Sequence, residues 1–259
     1  LASGRLDRQA LQSALHPGAA RNALDCAFWD LEAKERGRAV WEIAGLDRPG
    51  PLTTAETLSL DLPEKMAAQA ISKAGCPLLK IKLGSEGALA RVEAIRAARP
   101  DAILIVDANE ALPPAELVPT LKALADLGVA MVEQPLPAGE DDMLEGIDSP
   151  IPLCADESSH TVEDIPRLAK LYDLVNVKLD KTGGLTEAIA MVRAAEAAGL
   201  KVMVGCMVGT SLSMAPAFLL GSRATYCDID GPVILAKDRE FGLTYNRGRV
   251  SPPLPDLWG

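Results

Sequence analysis

The chain has 259 residues, of which 48% are apolar, and this length and composition suit one α/β barrel with a sizeable core. Its formal charge is -10, with 36 acidic and 26 basic residues, which disfavours non-specific binding to nucleic acid or to an anionic membrane. A small charged substrate or a metal ion remains compatible with this charge, and no run of about 18 apolar residues predicts a transmembrane helix. The five cysteines are scattered, which is typical of reduced core residues in a cytoplasmic protein and not of disulfides or a zinc site.

A leading helix is predicted ahead of the repeating part of the chain. Apolar residues recur at helical spacing over residues 18–36, and Gly37 then provides a stop signal. A Pro-Gly-Pro break at residues 49–51 separates this helix from the first of eight apolar runs. We therefore predict a leading segment, a barrel and a C-terminal surface tail rich in turn formers, at residues 1–50, 51–235 and 236–259.

Eight predicted strands alternate with predicted helices through the middle of the chain. The strands are continuous runs of Val, Ile, Leu and Met, which indicates burial on both faces, as in a parallel sheet covered by helices. Eight such repeats fit a closed barrel or an open doubly wound sheet, and the barrel is favoured because no strand is followed by a Gly-rich phosphate-binding turn. The strands are Leu52–Leu60, Leu78–Leu83, Ile103–Asp107, Val129–Glu133, Pro152–Asp156, Leu174–Leu179, Lys201–Cys206 and Ala224–Ile229. Helices are expected near residues 63–75, 87–98, 115–127, 142–147, 186–198 and 211–220, and from a capping box at Thr161 and Asp164.

Three acids end three consecutive strands. Asp107, Glu133 and Asp156 are one strand-plus-helix step apart, so all three carboxylates reach the same rim of a barrel. Converging carboxylates repel one another unless a cation joins them, and hard oxygen ligands suit Mg²⁺. For any one acid alone, a helix cap or a solvated rim charge is the favoured interpretation. For three acids in phase on neighbouring strands, a Mg²⁺ site is favoured.

Lysines flank these acids in the sequence. Lys80 and Lys82 are two residues apart and point to one face, where mutual repulsion and partial burial would lower the pKa of one ammonium and make it a usable general base. Lys178 ends a strand on the other side of a closed barrel, so Lys82 and Lys178 could approach a substrate carbon from opposite faces. Lys181 is a competing candidate, and the alternative is that the lysines only balance the charge of the acids.

Asp228 and Asp230 bracket Ile229 at the end of the last strand. Both side chains lie on one face and could bind an ammonium group of a substrate. The alternative is a structural turn before Gly231 and Pro232, since Asp is common in such turns. From the residues alone, the two interpretations carry equal weight.

Several short motifs together resemble the enolase superfamily, in its muconate-lactonising branch. The matching segments are Lys80–Lys82, Val106–Asn109, Val132–Pro135, Cys154–Ser158 and Asn176–Leu179. Within that branch, Cys227–Gly231 resembles the Asp-x-Asp signature of dipeptide epimerases. The similarity extends from about Leu11 to Asp230, and the motif set is highly specific for the superfamily.

This resemblance implies a TIM-like (β/α)7β-type barrel of eight parallel strands. It also implies an isomerase that transfers a proton at the α-carbon of the C-terminal residue of a dipeptide, with L-Ala-D/L-Glu as the substrate pair and peptidoglycan recycling as its setting. The implied roles are Mg²⁺ ligation by Asp107, Glu133 and Asp156, acid/base catalysis by Lys82 and Lys178, lowering of the pKa of Lys82 by Lys80, and ammonium binding by Asp228 and Asp230.

Family members also carry an N-terminal α+β capping domain, and this chain starts near the end of that region, so we expect the capping domain to be missing from it. Rival hypotheses are a cycloisomerase or an o-succinylbenzoate synthase-like enzyme of the same superfamily, and an inactive, uncapped barrel that binds metal. The oligomeric state stays open, a homo-oligomer included.

Overall fold

The computed structural model describes residues 7–84 and 87–259 of the chain. Eight parallel strands form one sheet in the order β2 to β9, and each strand pairs with the next in the sequence. The strands are β1 (Leu52–Thr53), β2 (Glu56–Leu58), β3 (Leu78–Lys82), β4 (Ile103–Asp107), β5 (Val129–Glu133), β6 (Leu153–Ala155), β7 (Leu174–Lys178), β8 (Lys201–Gly205), β9 (Tyr226–Asp228), β10 (Tyr245–Asn246) and β11 (Arg249–Val250).

Helices follow most of the strands and cover the outside of the sheet. They are α1 (Arg8–Ala14), α2 (Ala19–Arg36), α3 (Val40–Ala44), α4 (Pro63–Ser72), α5 (Ala88–Ala98), α6 (Leu117–Asp126), α7 (Ile165–Leu168), α8 (Leu179–Thr182), α9 (Leu185–Ala197) and α10 (Ser211–Phe218). Short 3-10 turns lie at Pro114–Glu116, Asp141–Leu144, Val162–Asp164, Gly221–Arg223 and Gly231–Ile234. Among these helices of the described residues, none combines the length and the hydropathy that crossing a bilayer requires.

The sheet curves round so that its first and last strands meet. The backbone N–H of Ala55 donates to the carbonyl of Cys227 at 2.7 Å, and the N–H of Ile229 donates to Oγ1 of Thr54 at 3.0 Å. Strands β3 and β7 are four places apart in this ring of eight and therefore stand on opposite sides of it. The predicted fold class, a TIM-like barrel of eight parallel strands, is confirmed.

The interior of the barrel is built in layers, because inward-facing side chains recur at every second residue of each strand. The lowest layer is apolar and consists of Ala55, Leu78, Ile105, Met131, Cys154, Leu174 and Met203. Two residues after its members in β3 to β7, the next layer is polar and consists of Lys80, Asp107, Glu133, Asp156 and Asn176, and Asp228 of β9 joins it. The apolar layer therefore forms a closed floor under a polar rim.

Two predicted elements need correction. The first strand was expected as one run over Leu52–Leu60, but only Glu56–Leu58 belongs to the barrel, whereas β1 pairs with β11 in a separate antiparallel sheet. The predicted helix near residues 142–147 is a short 3-10 turn, since Gly146 adopts a left-handed φ of 77° that ends it. The capping box of Thr161 and Asp164 is confirmed.

The two ends of the chain pack on the barrel. The C-terminal segment forms the β10–β11 hairpin, which buries Val250, and Trp258 is buried with its Nε1 donating to the carbonyl of Cys26 at 2.9 Å. Near the other end, Arg21 of α2 donates to the carbonyl of Thr182 at 2.6 Å, which anchors the segment that follows β7. Helix α2 thus supports the segment after β7 through Arg21.

Candidate active site

Lys80 lies at the centre of the polar layer. Its Nζ is 2.9 Å from Asp107, 2.7 Å from Glu133 and 2.8 Å from Asp228, and its side chain is 3% exposed. Burial by itself would lower the pKa of Lys80, but the carboxylates of Asp228, Glu133 and Asp107 raise it well above its usual value. Lys80 is therefore a fixed positive charge that compensates three acids.

Lys82 is placed one step higher, where it is 37% exposed. Its Nζ donates to Oδ2 of Asp107 at 2.7 Å and to Oδ1 of Asn109 at 2.8 Å. Of the two lysines, Lys82 is the one that the structure leaves accessible.

Lys178 faces the same space from β7. Its Nζ is 2.5 Å from Oδ2 of Asp156, and its side chain is 11% exposed. Burial would lower the pKa of Lys178, but Asp156 and Glu133 raise it. The competing candidate, Lys181, is turned to the other oxygen of Asp156, and burial lowers its pKa because the attraction of Asp156 offsets the burial only in part.

One cavity of about 220 Å³ opens over the polar layer. Lys82 and Lys178 line it from opposite sides of the ring, and Lys80 lies at its base. The lining residues are Thr57, Ser59, Lys80, Lys82, Lys178, Cys206, Met207, Val208, Asp228, Asp230, Gly231 and Ile234. The two predicted acid/base lysines, Lys80 and the two aspartates of the last strand thus share one cavity.

The three predicted metal ligands, Asp107, Glu133 and Asp156, lie side by side, as the register of their strands requires: Asp107 pairs with Glu133, and Glu133 pairs with Cys154, two residues before Asp156. Burial raises the pKa of Glu133 to about 8. Burial would also raise the pKa of Asp107 and of Asp156, but nearby lysines lower both. The pKa values differ because two lysines lower that of Asp107 and that of Asp156, whereas the charges of Asp107 and Asp156 raise that of Glu133.

These acids are turned toward ammonium groups. Across residues 7–84 and 87–259, no three His, Cys, Asp or Glu side chains converge as a ready metal cluster. However, Oε2 of Glu133 is buried and receives no hydrogen bond within the described residues, although Nζ of Lys80 is 2.7 Å away. Carboxylate oxygens from three adjacent strands are the ligands that suit a hard divalent cation such as Mg²⁺. The oxygen of Glu133 that receives no hydrogen bond is free to be one of them. The residues present therefore fit Mg²⁺.

Asp228 and Asp230 have different surroundings. Oδ2 of Asp230 accepts from the N–H of Thr57 at 2.8 Å and so helps to close the barrel between its first and last strands. Burial and the charge of Asp228 raise the pKa of Asp230. Oδ2 of Asp228 pairs with Lys80, whereas its Oδ1 is buried and has no hydrogen-bond partner in the described part of the chain. Asp228 thus has acceptor capacity left for a ligand.

Three site residues did not appear among the predicted ones. Nδ2 of Asn176 donates to Oε1 of Glu133 at 2.6 Å, and Oε1 of Gln134 accepts from the N–H of Asp156 at 2.9 Å. Asn109, two residues after β4, and Gln134, directly after β5, adopt left-handed φ values of 42° and 35°. The two-residue period back from Lys178 would have found Asn176, but backbone strain at Asn109 and Gln134 leaves no such signal in the sequence.

Gln134 is held in turn by a buried cluster. Its Nε2 donates to Oγ of Ser158 at 3.0 Å and to the hydroxyl of Tyr172 at 3.2 Å. Asp141 accepts from Ser158 at 2.6 Å, from Tyr172 at 2.5 Å and from Arg167 at 3.0 Å. Burial would raise the pKa of Asp141, but these hydrogen bonds lower it. The cluster supports the loops after β5 and β6 from behind.

Sequence comparison places this site among proteins of known activity. The chain is 48% identical over 255 residues to an N-acetyl-D-glutamate racemase from a Pseudoalteromonas species, an alignment that covers 98% of this chain and 81% of the relative. It is 46% identical over 247 residues to the L-Ala-D/L-Glu epimerase of Escherichia coli K12, which covers 95% of this chain and 77% of the relative.

Solved structures give the same result. An enolase family member from Agrobacterium tumefaciens, described as homologous to dipeptide epimerases and crystallised with sodium and L-Ala-L-Glu, superposes with a TM-score of 0.96 at 50% identity. The superposition covers 100% of this chain and 79% of that chain. The model of the enolase C-terminal domain-like family matches residues 64–255. The chain therefore belongs to the enolase C-terminal domain-like family.

Proposed function

We propose that this chain is a Mg²⁺-dependent dipeptide epimerase that transfers a proton at the α-carbon of the C-terminal residue, with L-Ala-D/L-Glu as its substrate pair. The observation that carries the proposal is the placement of Lys82 and Lys178, which line one cavity from opposite strands of the ring. Two amines on opposite sides of a bound carbon are what inversion at that carbon requires. The names of the relatives support the same reaction class.

Asp107, Glu133 and Asp156 are the residues that would hold Mg²⁺. When bound, the ion would offset the negative charge that develops on the substrate carboxylate as the α-proton leaves. Lys82 and Lys178 exchange roles with the direction of the reaction, one removing the proton and the other returning a proton to the opposite face. Only a neutral amine can remove the α-proton, so the lysine that acts as the base must first leave its ion pair, with Asp107 or with Asp156, and lose one proton of its ammonium.

Asp228 and Asp230 would bind the terminal ammonium of the dipeptide. Support comes from Oδ1 of Asp228, a buried acceptor on the cavity that has no partner among the described residues. An ammonium donor placed there would satisfy it. Asp230 contributes charge from the neighbouring position and keeps its hydrogen bond to Thr57.

A second candidate function is the racemisation of an N-acylated glutamate. The relative that is 48% identical is an N-acetyl-D-glutamate racemase, and its substrate has no free ammonium. Both candidates move the α-proton of a glutamate residue, so the lysines would act in the same way. The ammonium site separates them, because only a dipeptide with a free amino end would use Asp228.

Two coarser assignments accompany the proposal. We assign catalysis to residues 51–235, with residues 1–50 and 236–259 as supporting segments. A cytoplasmic location is supported by the five cysteines, all of which are free thiols. Peptidoglycan recycling is the setting that we propose for the L-Ala-D/L-Glu substrate pair.

The proposal is tested by solvent deuterium incorporation. Purified protein is incubated in ²H₂O with L-Ala-L-Glu or with N-acetyl-L-glutamate, with and without Mg²⁺, and the α-position is followed by NMR. Exchange of the dipeptide only with Mg²⁺ supports the proposal, and exchange of the N-acetyl compound alone supports the second candidate. No exchange in either compound, or turnover only of cycloisomerase or o-succinylbenzoate synthase substrates, overturns both.

A further inference from the structure

Lys181 is the lysine near the cavity that the proposed reaction does not use. It lies in α8, three residues after Lys178, and its side chain is 9% exposed. In the described part of the chain it does not line the cavity that Lys82 and Lys178 share. A buried charge at this place must have partners that offset the free-energy cost of removing it from water.

Among the described residues, the hydrogen-bond partners of Lys181 lie at the end of β6 and within β7. Its Nζ donates to the main-chain carbonyl of Asp156, to Oδ1 of Asp156 at 2.5 Å and to the main-chain carbonyl of Asn176 at 3.2 Å. An ammonium has three N–H donors, so these contacts use all of them. The ammonium thus ties the end of β6 to β7.

The two oxygens of Asp156 are divided between two lysines. Oδ1 is held by Lys181 on the buried side, and Oδ2 is directed to Lys178, whose side chain lines the cavity. Because the main chain of Asp156 is held by the same ammonium, neither the backbone nor the χ1 torsion of Asp156 is free to turn. Oδ2, which faces Lys178, is therefore the carboxylate oxygen of Asp156 that Lys181 does not hold.

We infer that Lys181 is a positioning residue, which fixes the carboxylate of Asp156 as a metal ligand and takes no part in proton transfer. The inference rests on the metal site of the proposed function. The same ammonium also holds the main chain of Asn176, whose Nδ2 donates to Glu133, so Lys181 supports two of the three predicted ligands. Partners behind metal ligands commonly change metal affinity by 10- to 100-fold when they are removed.

The test measures Mg²⁺ binding by calorimetry in the absence of any dipeptide. Lys181→Met removes the charge and the donors at similar length, and Lys181→Arg keeps both. Lys170→Met is the matched control, since Lys170 is exposed and remote from the barrel mouth. We expect Lys181→Met to weaken Mg²⁺ binding about 10- to 100-fold, Lys181→Arg to restore part of it, and Lys170→Met to leave it unchanged. Should Lys181→Met not fold, the Lys181→Arg variant still tests the geometry, because a shifted Asp156 predicts weaker binding.

Unchanged Mg²⁺ affinity in a folded Lys181→Met variant would overturn the inference. So would loss of deuterium exchange from one epimer alone with Mg²⁺ binding intact, since that pattern is the signature of an acid/base residue. Binding is measured without substrate, so the two proposals fail separately. If the wild-type protein binds Mg²⁺, Lys181→Met weakens that binding and no dipeptide is exchanged, the positioning role stands and the proposed function falls.

Discussion

Nζ of Lys80 lies 2.7 Å from Oε2 of Glu133, an acceptor that receives no hydrogen bond from residues 7–84 or 87–259. The pair is at the base of the cavity, where both side chains are buried. Close approach of opposite charges without hydrogen-bond geometry means that Lys80 supplies charge to Glu133 but does not satisfy it. This unsatisfied oxygen gives the polar layer the capacity to bind a further cation.

Removing Lys80 should therefore lower the free energy of unfolding, because the buried acids lose the charge that stabilises them. In Lys80→Met, Asp107, Glu133 and Asp228 lose their common counter-charge, and we expect a loss of about 3–5 kcal/mol in the free energy of unfolding without metal. Urea denaturation with and without Mg²⁺ measures this, and Mg²⁺ should restore part of the loss. Equal stability of the variant and the wild type in metal-free buffer would show that the acids do not need Lys80.

Asp228→Asn tests the ammonium site. A hydrogen bond between charged groups contributes about 1.5–3 kcal/mol, so we expect kcat/KM for L-Ala-L-Glu to fall roughly 10- to 100-fold. The matched measurement uses N-acetyl-L-glutamate, for which the loss should be much smaller because that compound has no ammonium. Equal losses for both compounds would assign the effect to the contact of Asp228 with Lys80 and remove the ammonium role.

Gly205→Ala tests the packing beneath Asn176. A Cβ at Gly205 would lie 2.6 Å from Oδ1 of Asn176, so the amide must shift away from Glu133, to which it donates. We expect weaker Mg²⁺ binding, by about 10-fold, as for other partners of metal ligands. Gly50→Ala is the control, since a Cβ there meets nothing within 4 Å. If calorimetry finds the same Mg²⁺ affinity in both variants, Asn176 does not support the metal site.

Asp141 should give the protein an acid-sensitive component of stability. Its pKa is lowered in the folded state by hydrogen bonds from Ser158, Tyr172 and Arg167, which outweigh burial. A lowered folded pKa gives stability that is present above the unfolded value, about 3.9, and is lost as the pH falls through the folded pKa. We expect Asp141→Asn to lose about 2–3 kcal/mol near neutral pH and to flatten the decline below about pH 4.

Asp142→Asn is the matched control for that measurement, because Asp142 is the exposed neighbour of Asp141. Thermal or urea unfolding between pH 3 and 7 gives the comparison. An Asp141→Asn variant whose stability falls with acid as steeply as the wild type does would contradict the assignment.

Much of this site was predictable because side chains along each strand point alternately into and out of the barrel. Asp107, Glu133 and Asp156 follow apolar runs at the same phase, and the period of two that links Lys80 to Lys82 also links Asn176 to Lys178. The register of the strands follows from that phase, because a slip of one residue would point the charged side chains away from the interior of the barrel. The barrel and the shared cavity therefore follow from the pattern and from the rule that parallel strands end at one rim.

The charge states of the lysines could not be predicted in the same way. Sequence spacing places Lys80 beside Lys82, but it does not show that Asp228, 148 positions away along the chain, also contacts Lys80. Likewise, the ion pairs of Lys178 and Lys181 with Asp156 depend on the conformation of α8. The four residues of this short helix do not determine that conformation by themselves. Long-range contacts and strained backbones such as that of Gln134 are fixed by packing, not by local pattern.

In the proposed reaction, Lys82 and Lys178 serve opposite faces of one carbon, and deuterium exchange in single variants tests this arrangement. Lys82→Ala and Lys178→Ala are each incubated in ²H₂O and Mg²⁺ with L-Ala-L-Glu and, separately, with L-Ala-D-Glu, beside the exposed control Lys122→Ala. We expect each site variant to lose exchange from a different epimer, while the control exchanges both. Rapid exchange of both epimers by both site variants, or loss of the same epimer in each, would contradict the two-faced arrangement.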